Sequence, residues 1–259
     1  MDNIQIPITE NGTTTLATAG KYCDRNIEVN VNVDGGDTDK AYEAGEKAGR
    51  KAEYDMFWDN FQNYGNRLSY SYMFGARGWT DENFKPKYDI RPNGSATSLF
   101  RYLEVTEDLP TIFERQGIVL DTSKATNLEY CCQSLNSPVP LSLGTFDCTG
   151  LEVRLTSSFS CPAIKQVMLI INDAVIFYNT FNNATNLVDL ELEGTLGTDG
   201  LSLSNSKKLT HDSLMSVINA LKDFSGTSTT RTVTLGSDNL AKLTDDEKKI
   251  ATDKGWTLA

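Results

Sequence analysis

A short phrase recurs through the second half of the chain, in which a small residue is followed three positions later by leucine or isoleucine. The phrase opens most of the apolar, strand-like segments there. It occurs at Ala125/Leu128, Cys148/Leu151, Cys161/Ile164, Ala184/Leu187 and Ser206/Leu209. The steps between the aliphatic members are 23, 13, 23 and 22 residues. Such a unit predicts one strand plus a return segment, which cannot bury its own apolar face, and therefore indicates units stacked into a solenoid.

Aromatic residues lie just upstream of three of these phrases, at Phe146, Phe159 and Phe181. The combined pattern resembles the BspA-type leucine-rich repeat family, whose phrase is Phe-x-x-Cys-x-x-Leu-x-x-Val. The full spacing is met by Phe181, Ala184, Leu187 and Leu190, and with one residue missing by Phe159, Cys161, Ile164 and Val167. The resemblance covers residues 95–259 and implies a binding or structural role.

The N-terminal segment, residues 1–33, has a different pattern. Alternating isoleucines lead to the turn signal Asn11-Gly12, and a second alternation follows between Ile27 and Val33. This pattern predicts a small antiparallel β module. We therefore expect an α/β (mixed) chain, with an N-terminal β module, a connecting helix and a degenerate leucine-rich-repeat solenoid with capping elements.

Residues 34–64 are predicted to form a linker and a helix. The linker, Asp34 to Asp39, lacks the ligand spacing of an EF-hand, so a solvated joint is favoured over a calcium site. The helix is expected from about Asp39 to Tyr64. Small residues on one side of its first half leave two alternatives open. One is a parallel self-associating stalk, giving a homo-oligomer such as a trimer, and the other is a single helix packed on its own chain.

Residues 65–94 are rich in aromatic residues, glycine and proline, and are predicted to form an irregular cap on the solenoid. Aromatic residues interleaved with Arg67, Arg77 and Lys85 leave binding of a sugar or of a nucleobase face as an alternative. The C-terminal end is predicted to be folded. A helix begins near Thr210, a strand covers Arg231 to Leu235, and a capping box between Thr244 and Glu247 opens a last helix before a strand at 256–258.

Composition narrows the choice of partners. The net charge of -11 argues against nucleic acid, which needs clustered lysine and arginine. The apolar stretch from Val167 to Phe177 is interrupted by Asn172 and Asp173 and is too short to span a membrane, so no membrane insertion is expected. The N-terminus lacks the pattern of a secretory signal. Five cysteines without a disulfide spacing predict reduced core thiols and assembly in the cytoplasm.

Catalytic, cofactor and metal sites find little support in the sequence, and we expect none of the three. His211, the single histidine, directly precedes Asp212 and Ser213, and consecutive residues do not face one another as a catalytic triad. Glu191 and Glu193 alternate on one strand face, as a glycosidase pair would require. A glycan-degrading enzyme is therefore the least favoured alternative, and surface carboxylates are the ordinary explanation.

A second resemblance concerns residues 1–33. The wording Ile8-Thr-Glu-Asn-Gly12 and Thr18-Ala-Gly-Lys-Tyr-Cys-Asp-Arg-Asn26 is similar to N-terminal modules in phage and prophage structural proteins of Gram-positive gut bacteria. The phrases Gly78-Trp-Thr-Asp81 and Lys254-Gly-Trp-Thr-Leu258 are similar to proteins of the same origin. This resemblance implies a virion protein of tail, baseplate or fibre type, assembled in the host cytoplasm. Its N-terminal module would bind other virion proteins, and its repeat domain would face a host-surface protein or glycan. The alternative is a bacterial cell-surface BspA-like adhesin.

Overall fold

The structure, a computed structural model, describes residues 5–10, 13–18, 74, 79–150 and 153–259. The chain divides into two compact units, residues 1–61 and 62–259. The first two strands are β1 (Gln5–Glu10) and β2 (Thr13–Thr18). The later strands are β3 (Gly94–Ser95), β4 (Ala125–Asn127), β5 (Leu141–Cys148), β6 (Ile164–Ile171), β7 (Asp189–Gly194), β8 (Arg231–Val233) and β9 (Trp256–Leu258). The helices are α1 (Leu109–Gln116), α2 (His211–Ala220), α3 (Ser237–Leu240) and α4 (Asp245–Asp253).

In the N-terminal unit, β1 and β2 pair antiparallel, with Gln5 opposite Thr18 and Glu10 opposite Thr13. The sequence predicts the first strand from the alternating isoleucines and its antiparallel partner from the turn signal Asn11-Gly12. The second alternation from Ile27 and the helix predicted from Asp39 lie outside the described residues. The predicted boundaries after residues 33, 64 and 94 stay predictions.

Strand pairing between residues 79 and 259 is parallel throughout the described part of the chain. The largest sheet has the order β5-β6-β7. Between residues 149 and 205, asparagine side chains link three segments to segments 23 residues earlier: Asn172 to Thr149, Asn183 to Ser160, and Asn205 to Asn182. The unit is thus a mixed helix and strand fold built on small parallel sheets.

The strand register corrects one part of the sequence interpretation. Leu141 pairs with Ile164 across β5 and β6, whereas Cys148 at the end of β5 pairs with Ile171. Cys148 is therefore not equivalent to Cys161, which precedes β6, so the step of 13 residues from Leu151 to Ile164 joins two phrases that are not in register. Phe146 likewise lies within β5, while Phe159 and Phe181 lie in turns. The phrase misleads because a small residue followed by an aliphatic one occurs at both the start and the end of a strand.

Four turns share an unusual backbone conformation. Ser98, Tyr130, Ser157 and Asn179 have positive φ values between 52° and 59°. This region is uncommon for residues other than glycine. The Ser98 N–H donates to Glu129 O, the Tyr130 N–H to Thr156 O and the Ser157 N–H to Tyr178 O, at 2.8 to 2.9 Å. Each acceptor directly precedes the positive-φ residue of the next turn. The four turns therefore stack on one another with the same geometry.

Aromatic rings fill the interior at two places. Phe159 stacks on Phe181 with ring centroids 5.7 Å apart, as the equivalent positions of two successive turns. Within residues 74–113, five buried rings form a second cluster with centroid separations of 5.3 to 6.3 Å, made by Phe74, Trp79, Phe84, Phe100 and Phe113. Edge-to-face and offset contacts of this kind add to the free energy of burial.

The C-terminal helices begin where the sequence predicts. The Thr210 side chain accepts a hydrogen bond from Ser213 N–H at the start of α2, and α4 opens with the capping box between Thr244 and Glu247. Trp256 to Leu258 then pairs in parallel with β8. Helix α1 was not predicted from the sequence, although its signals are present: Pro110 in the first turn, apolar residues on one face, and Gly117 with a φ of 65° at the C-terminus.

Candidate binding surfaces

The outward face of the sheet β5-β6-β7 carries register rows of mixed chemistry. Thr145, Met168 and Glu191 form one row. Two positions further along the strands, a second row on the same face places Asp147 and Glu193 on either side of Ile170. The alternation predicted for these strands places their leucines and valines inward, where they are buried. The opposite face is therefore left for solvent or a partner.

Helices cover both edges of this sheet. On the β5 side, the Asp108 carboxylate accepts a hydrogen bond from Ser142 N–H at 2.7 Å, and Pro110 lies against Gly144. On the β7 side, Ser213 Oγ accepts from Leu190 N–H at 2.9 Å. Because α1 and α2 occupy these edges, we do not expect a partner to add a strand to this sheet.

Glu191 and Glu193 are both exposed on β7, at the alternate positions that the sequence predicts. No cluster of three or more histidine, cysteine, aspartate or glutamate side chains suited to a metal lies in the part of the chain that the structure describes. The face around the two carboxylates is made of Met168, Ile170 and further surface side chains. The geometry thus places these carboxylates on an open sheet face.

A second exposed surface lies on three consecutive segments. Parallel bridges align Asn127 with Arg154, and Arg154 with Ile176. Backbone hydrogen bonds continue the register two residues further on, from Tyr130 N–H to Thr156 O and from Ser157 N–H to Tyr178 O, both at 2.9 Å. We call this surface the tyrosine–arginine strip, defined by Asn127, Glu129, Arg154, Thr156, Ile176 and Tyr178.

Polar side chains in the strip are held by one carboxylate. Glu129 accepts a hydrogen bond from Asn127 Nδ2 at 3.1 Å on one oxygen and from Thr156 Oγ1 at 2.8 Å on the other. Asn127 Oδ1 in turn accepts from Glu129 N–H at 2.8 Å. Tyr178 is 62% exposed and the neighbouring Ile176 is 38% exposed. The strip therefore combines a fixed polar network with an open aromatic ring.

An arginine held by tyrosines continues this surface. The guanidinium of Arg101 lies over the ring of Tyr102 at 4.8 Å and near the ring of Tyr130 at 5.5 Å. Tyr130 directly follows Glu129 of the strip. Within the described residues, Arg101 Nε and Gln133 Oε1 are buried without a hydrogen-bond partner. Cation–π contacts hold the guanidinium in place without neutralising its charge.

The strip and this arginine were not predicted from the sequence. The exposure of Arg154 and Tyr178 does follow from the alternation in Val153-Arg154-Leu155 and Val175-Ile176-Phe177-Tyr178, because each lies between or beside buried residues. That alternation predicts exposed side chains at these positions. It does not reveal that the two segments are neighbours.

The four described cysteines are free and buried. Cys131 and Cys132 have sulfur atoms 3.9 Å apart. Burial raises the pKa of Cys132 and of Cys148, and it raises the pKa of Cys161 to about 12. These three thiols therefore stay protonated and poorly reactive at neutral pH. Cys23 lies outside the described residues.

His211 opens α2 and joins it to α4. Its Nε2 donates a hydrogen bond to Glu247 Oε1 at 2.8 Å, while Glu247 Oε2 accepts from Thr244 N–H in the capping box. The hydrogen bond and charge of Glu247 raise the pKa of His211. The Thr244 N–H holds the pKa of Glu247 below its usual value. As the sequence predicts, the histidine lies at a helix entrance.

Three other predictions concern the aspartate-rich linker, the aromatic segment and membrane insertion. The aspartate-rich linker from Asp34 and the two residues Arg67 and Arg77 are outside the described residues. Trp79 and Phe84, from the segment predicted as a cap, are buried in the aromatic cluster. None of the helices that the structure describes has the length and apolar character needed to cross a membrane.

Comparison with protein-family models, curated proteins and solved structures finds no match for this chain.

Proposed function

We propose that this chain is a phage virion protein that binds a partner through its repeat domain and acts by contact rather than by catalysis. Residues 95–259 would form a leucine-rich-repeat solenoid in this proposal. The carrying observation is the parallel ladder between residues 79 and 259. Its side-chain hydrogen bonds between residues 145 and 205 repeat at about 23 residues, and its bridges bring exposed side chains of successive segments into register.

Three further features support a stacked repeat. The turns at Ser98, Tyr130, Ser157 and Asn179 share the same left-handed conformation. Buried hydroxyls bridge adjacent segments in the same way, as in Thr180 Oγ1 donating to Leu155 O at 2.8 Å. Helices α1 and α2 cover the two edges of the main sheet. Stacked repeats use such extended surfaces for binding.

The virion setting rests on the resemblance of residues 1–33 to phage N-terminal modules. In this proposal, that module attaches the chain to other virion proteins of the tail, baseplate or fibre. The second candidate, a bacterial surface adhesin, rests on the BspA-type repeat phrase around Phe181 to Leu190. The two candidates differ in where the protein accumulates.

Quantitative mass spectrometry of density-purified particles and of washed cell envelope, from cells making the protein at native level, tests the proposal. We expect enrichment in particles at a fixed ratio to a capsid or tail protein. Enrichment in the envelope without particles would contradict the virion assignment and support the adhesin. A Glu191→Gln variant with an intact surface provides a separate check, because lost glycan depolymerisation in this variant would instead establish an enzyme.

A further inference from the structure

We propose that the tyrosine–arginine strip and the adjoining Arg101 bind an acidic glycan, a sugar chain that carries carboxylates. This inference rests on the proposed binding function and names the chemical class of its ligand. Three observations carry it: two arginines without a counter-ion among the described residues, tyrosine rings beside them, and a surface of the size of a few sugar units.

Two arginines differ from the others for which the structure describes ion pairs. Arg91 pairs with Asp89 and Asp121, Arg115 pairs with Glu107, and Arg231 pairs with Asp199. Arg101 and Arg154 have no ion pair among the described residues. Arg154 lies in the strip, and Arg101 contacts Tyr130, which follows Glu129 of the strip, in a chain whose net charge is -11. A carboxylate ligand would supply the counter-ion that the described residues do not.

The nearest carboxylate of the strip is already engaged. Both oxygens of Glu129 accept hydrogen bonds, one from Asn127 and one from Thr156. This arrangement leaves the Arg154 guanidinium open to solvent. It also fixes the positions of Asn127 and Thr156, whose remaining polar atoms suit sugar hydroxyls, which both donate and accept.

Tyrosine rings supply the apolar part of the site. Tyr178 is the most exposed of the large apolar or aromatic side chains in the described part of the chain, at 62%. Tyr130 and Tyr102 hold Arg101 at the other end of the surface. An aromatic ring with a polar hydroxyl offers both a stacking face for a sugar ring and a hydrogen-bonding group.

The size of the surface favours a glycan over a protein. Three neighbouring strands are about 5 Å apart, and two exposed positions on one strand are about 7 Å apart, so the strip measures on the order of 10 Å by 7 Å. A stable protein interface buries about 800 Å² on each partner, which is roughly ten times larger. A segment of nucleic acid would also offer anions and stacking rings, but binding its phosphates needs clustered lysine and arginine, and Arg154 is the one cation among the six residues of the strip.

Titration calorimetry with the full chain tests the proposal. The probes are a hexamer of galacturonic acid, a hyaluronan octasaccharide and sialyllactose, with the methyl-esterified galacturonate hexamer as the uncharged control. We expect at least one acidic probe to bind and its esterified or neutral counterpart to bind at least tenfold more weakly. Arg154→Gln and Tyr178→Ala should each weaken binding at least tenfold. Arg115→Gln is the matched control, since it removes an exposed arginine elsewhere, and it should leave the affinity unchanged.

The outcomes separate this inference from the proposed function. If the full chain binds host envelope but none of the acidic sugars, or if Arg154→Gln and Tyr178→Ala bind like the wild type, the glycan site is overturned while the binding function stands. Equal binding of a polyglutamate peptide or of a thymidine oligonucleotide would overturn it in favour of a protein or nucleic-acid partner. If the full chain binds neither envelope nor particle proteins, the proposed function itself fails.

Discussion

Ser216 Oγ on helix α2 accepts a hydrogen bond from the backbone N–H of Leu192 on strand β7 at 2.9 Å, and lies 3.4 Å from Leu192 O, to which it donates. Ser213, one turn earlier, does the same for Leu190 N–H and Val188 O. Two serines three residues apart thus take the place of the next strand. The ladder of parallel strands in this sheet stops at β7 because a helix satisfies its last edge.

Replacing Ser216 by alanine tests this edge contact. The substitution leaves the Leu192 N–H and C=O without their side-chain partner, and we expect a loss of about 1 kcal/mol in the free energy of unfolding. Chemical denaturation measures it. Ser228→Ala, at an exposed serine outside the strands and helices, is the control and should change stability by less than about 0.5 kcal/mol. An equal effect of the two substitutions would show that Ser216 does not protect the edge.

Alanine substitutions at two glycines with positive φ distinguish the cost of close packing from the cost of backbone strain. Gly194 has a φ of 107° and a Cβ there would overlap the carbonyl of Ile171, whereas Gly226 has a φ of 74° and nothing within 4 Å of such a Cβ. Gly226→Ala should cost about 1 kcal/mol from the backbone alone. Gly194→Ala should cost at least about 2 kcal/mol more, because β6 and β7 must move apart. Equal losses on thermal or urea unfolding would contradict the close approach of these strands.

The buried thiols give a chemical test of the core. Burial raises the pKa values of Cys132, Cys148 and Cys161, so their thiolate fractions are very small at pH 8. We expect iodoacetamide to leave these cysteines unmodified in the folded protein and to alkylate them fully in 6 M guanidinium chloride. Mass spectrometry of the peptides that contain each cysteine measures the alkylated fraction at that position. Rapid labelling of any of the three in the folded protein would show that the core is open at that position.

The His211–Glu247 contact predicts a pH dependence of stability. The folded-state pKa of His211 is raised, so its contribution is full below about pH 6.5 and is lost as the pH rises through the folded pKa. The pKa of Glu247 is lowered, so its contribution is present above about pH 4.5 and is lost as the pH falls. The melting temperature of the wild type should exceed that of His211→Gln most between about pH 5 and 6.5 and least at pH 8.

Since His211 is the single histidine of the chain, its imidazole resonances report its pKa without overlap. We expect proton NMR to give a value above that of a free histidine, and to return the ordinary value after unfolding. A titration midpoint at or below the ordinary value in the folded protein would rule out the contact with Glu247.

Local patterns along the chain predict much of this fold. The alternation of Val167, Leu169 and Ile171 marks β6, and the Thr244/Glu247 capping box marks the start of α4. These signals suffice because they depend on neighbours within a few residues. Gly117 and Pro110 carry equally local signals for α1, so that helix was predictable as well.

Register and surface juxtaposition were not predictable in the same way. The phrase that begins at Cys148 looks like the one at Cys161, and only the pairing of Leu141 with Ile164 shows which is the repeat. Likewise, Arg154 and Tyr178 are ordinary exposed residues in the sequence. They become neighbours because parallel pairing aligns segments about 23 residues apart, and that alignment depends on packing of the whole core.

An adsorption assay tests the central claim, contact with a host surface, most directly. Purified full chain is labelled, titrated onto host cells, and then challenged with intact particles. We predict saturable binding of the chain to the cells and a dose-dependent reduction in particle adsorption. Particles that adsorb unchanged to cells on which the chain shows no saturable binding would contradict that claim.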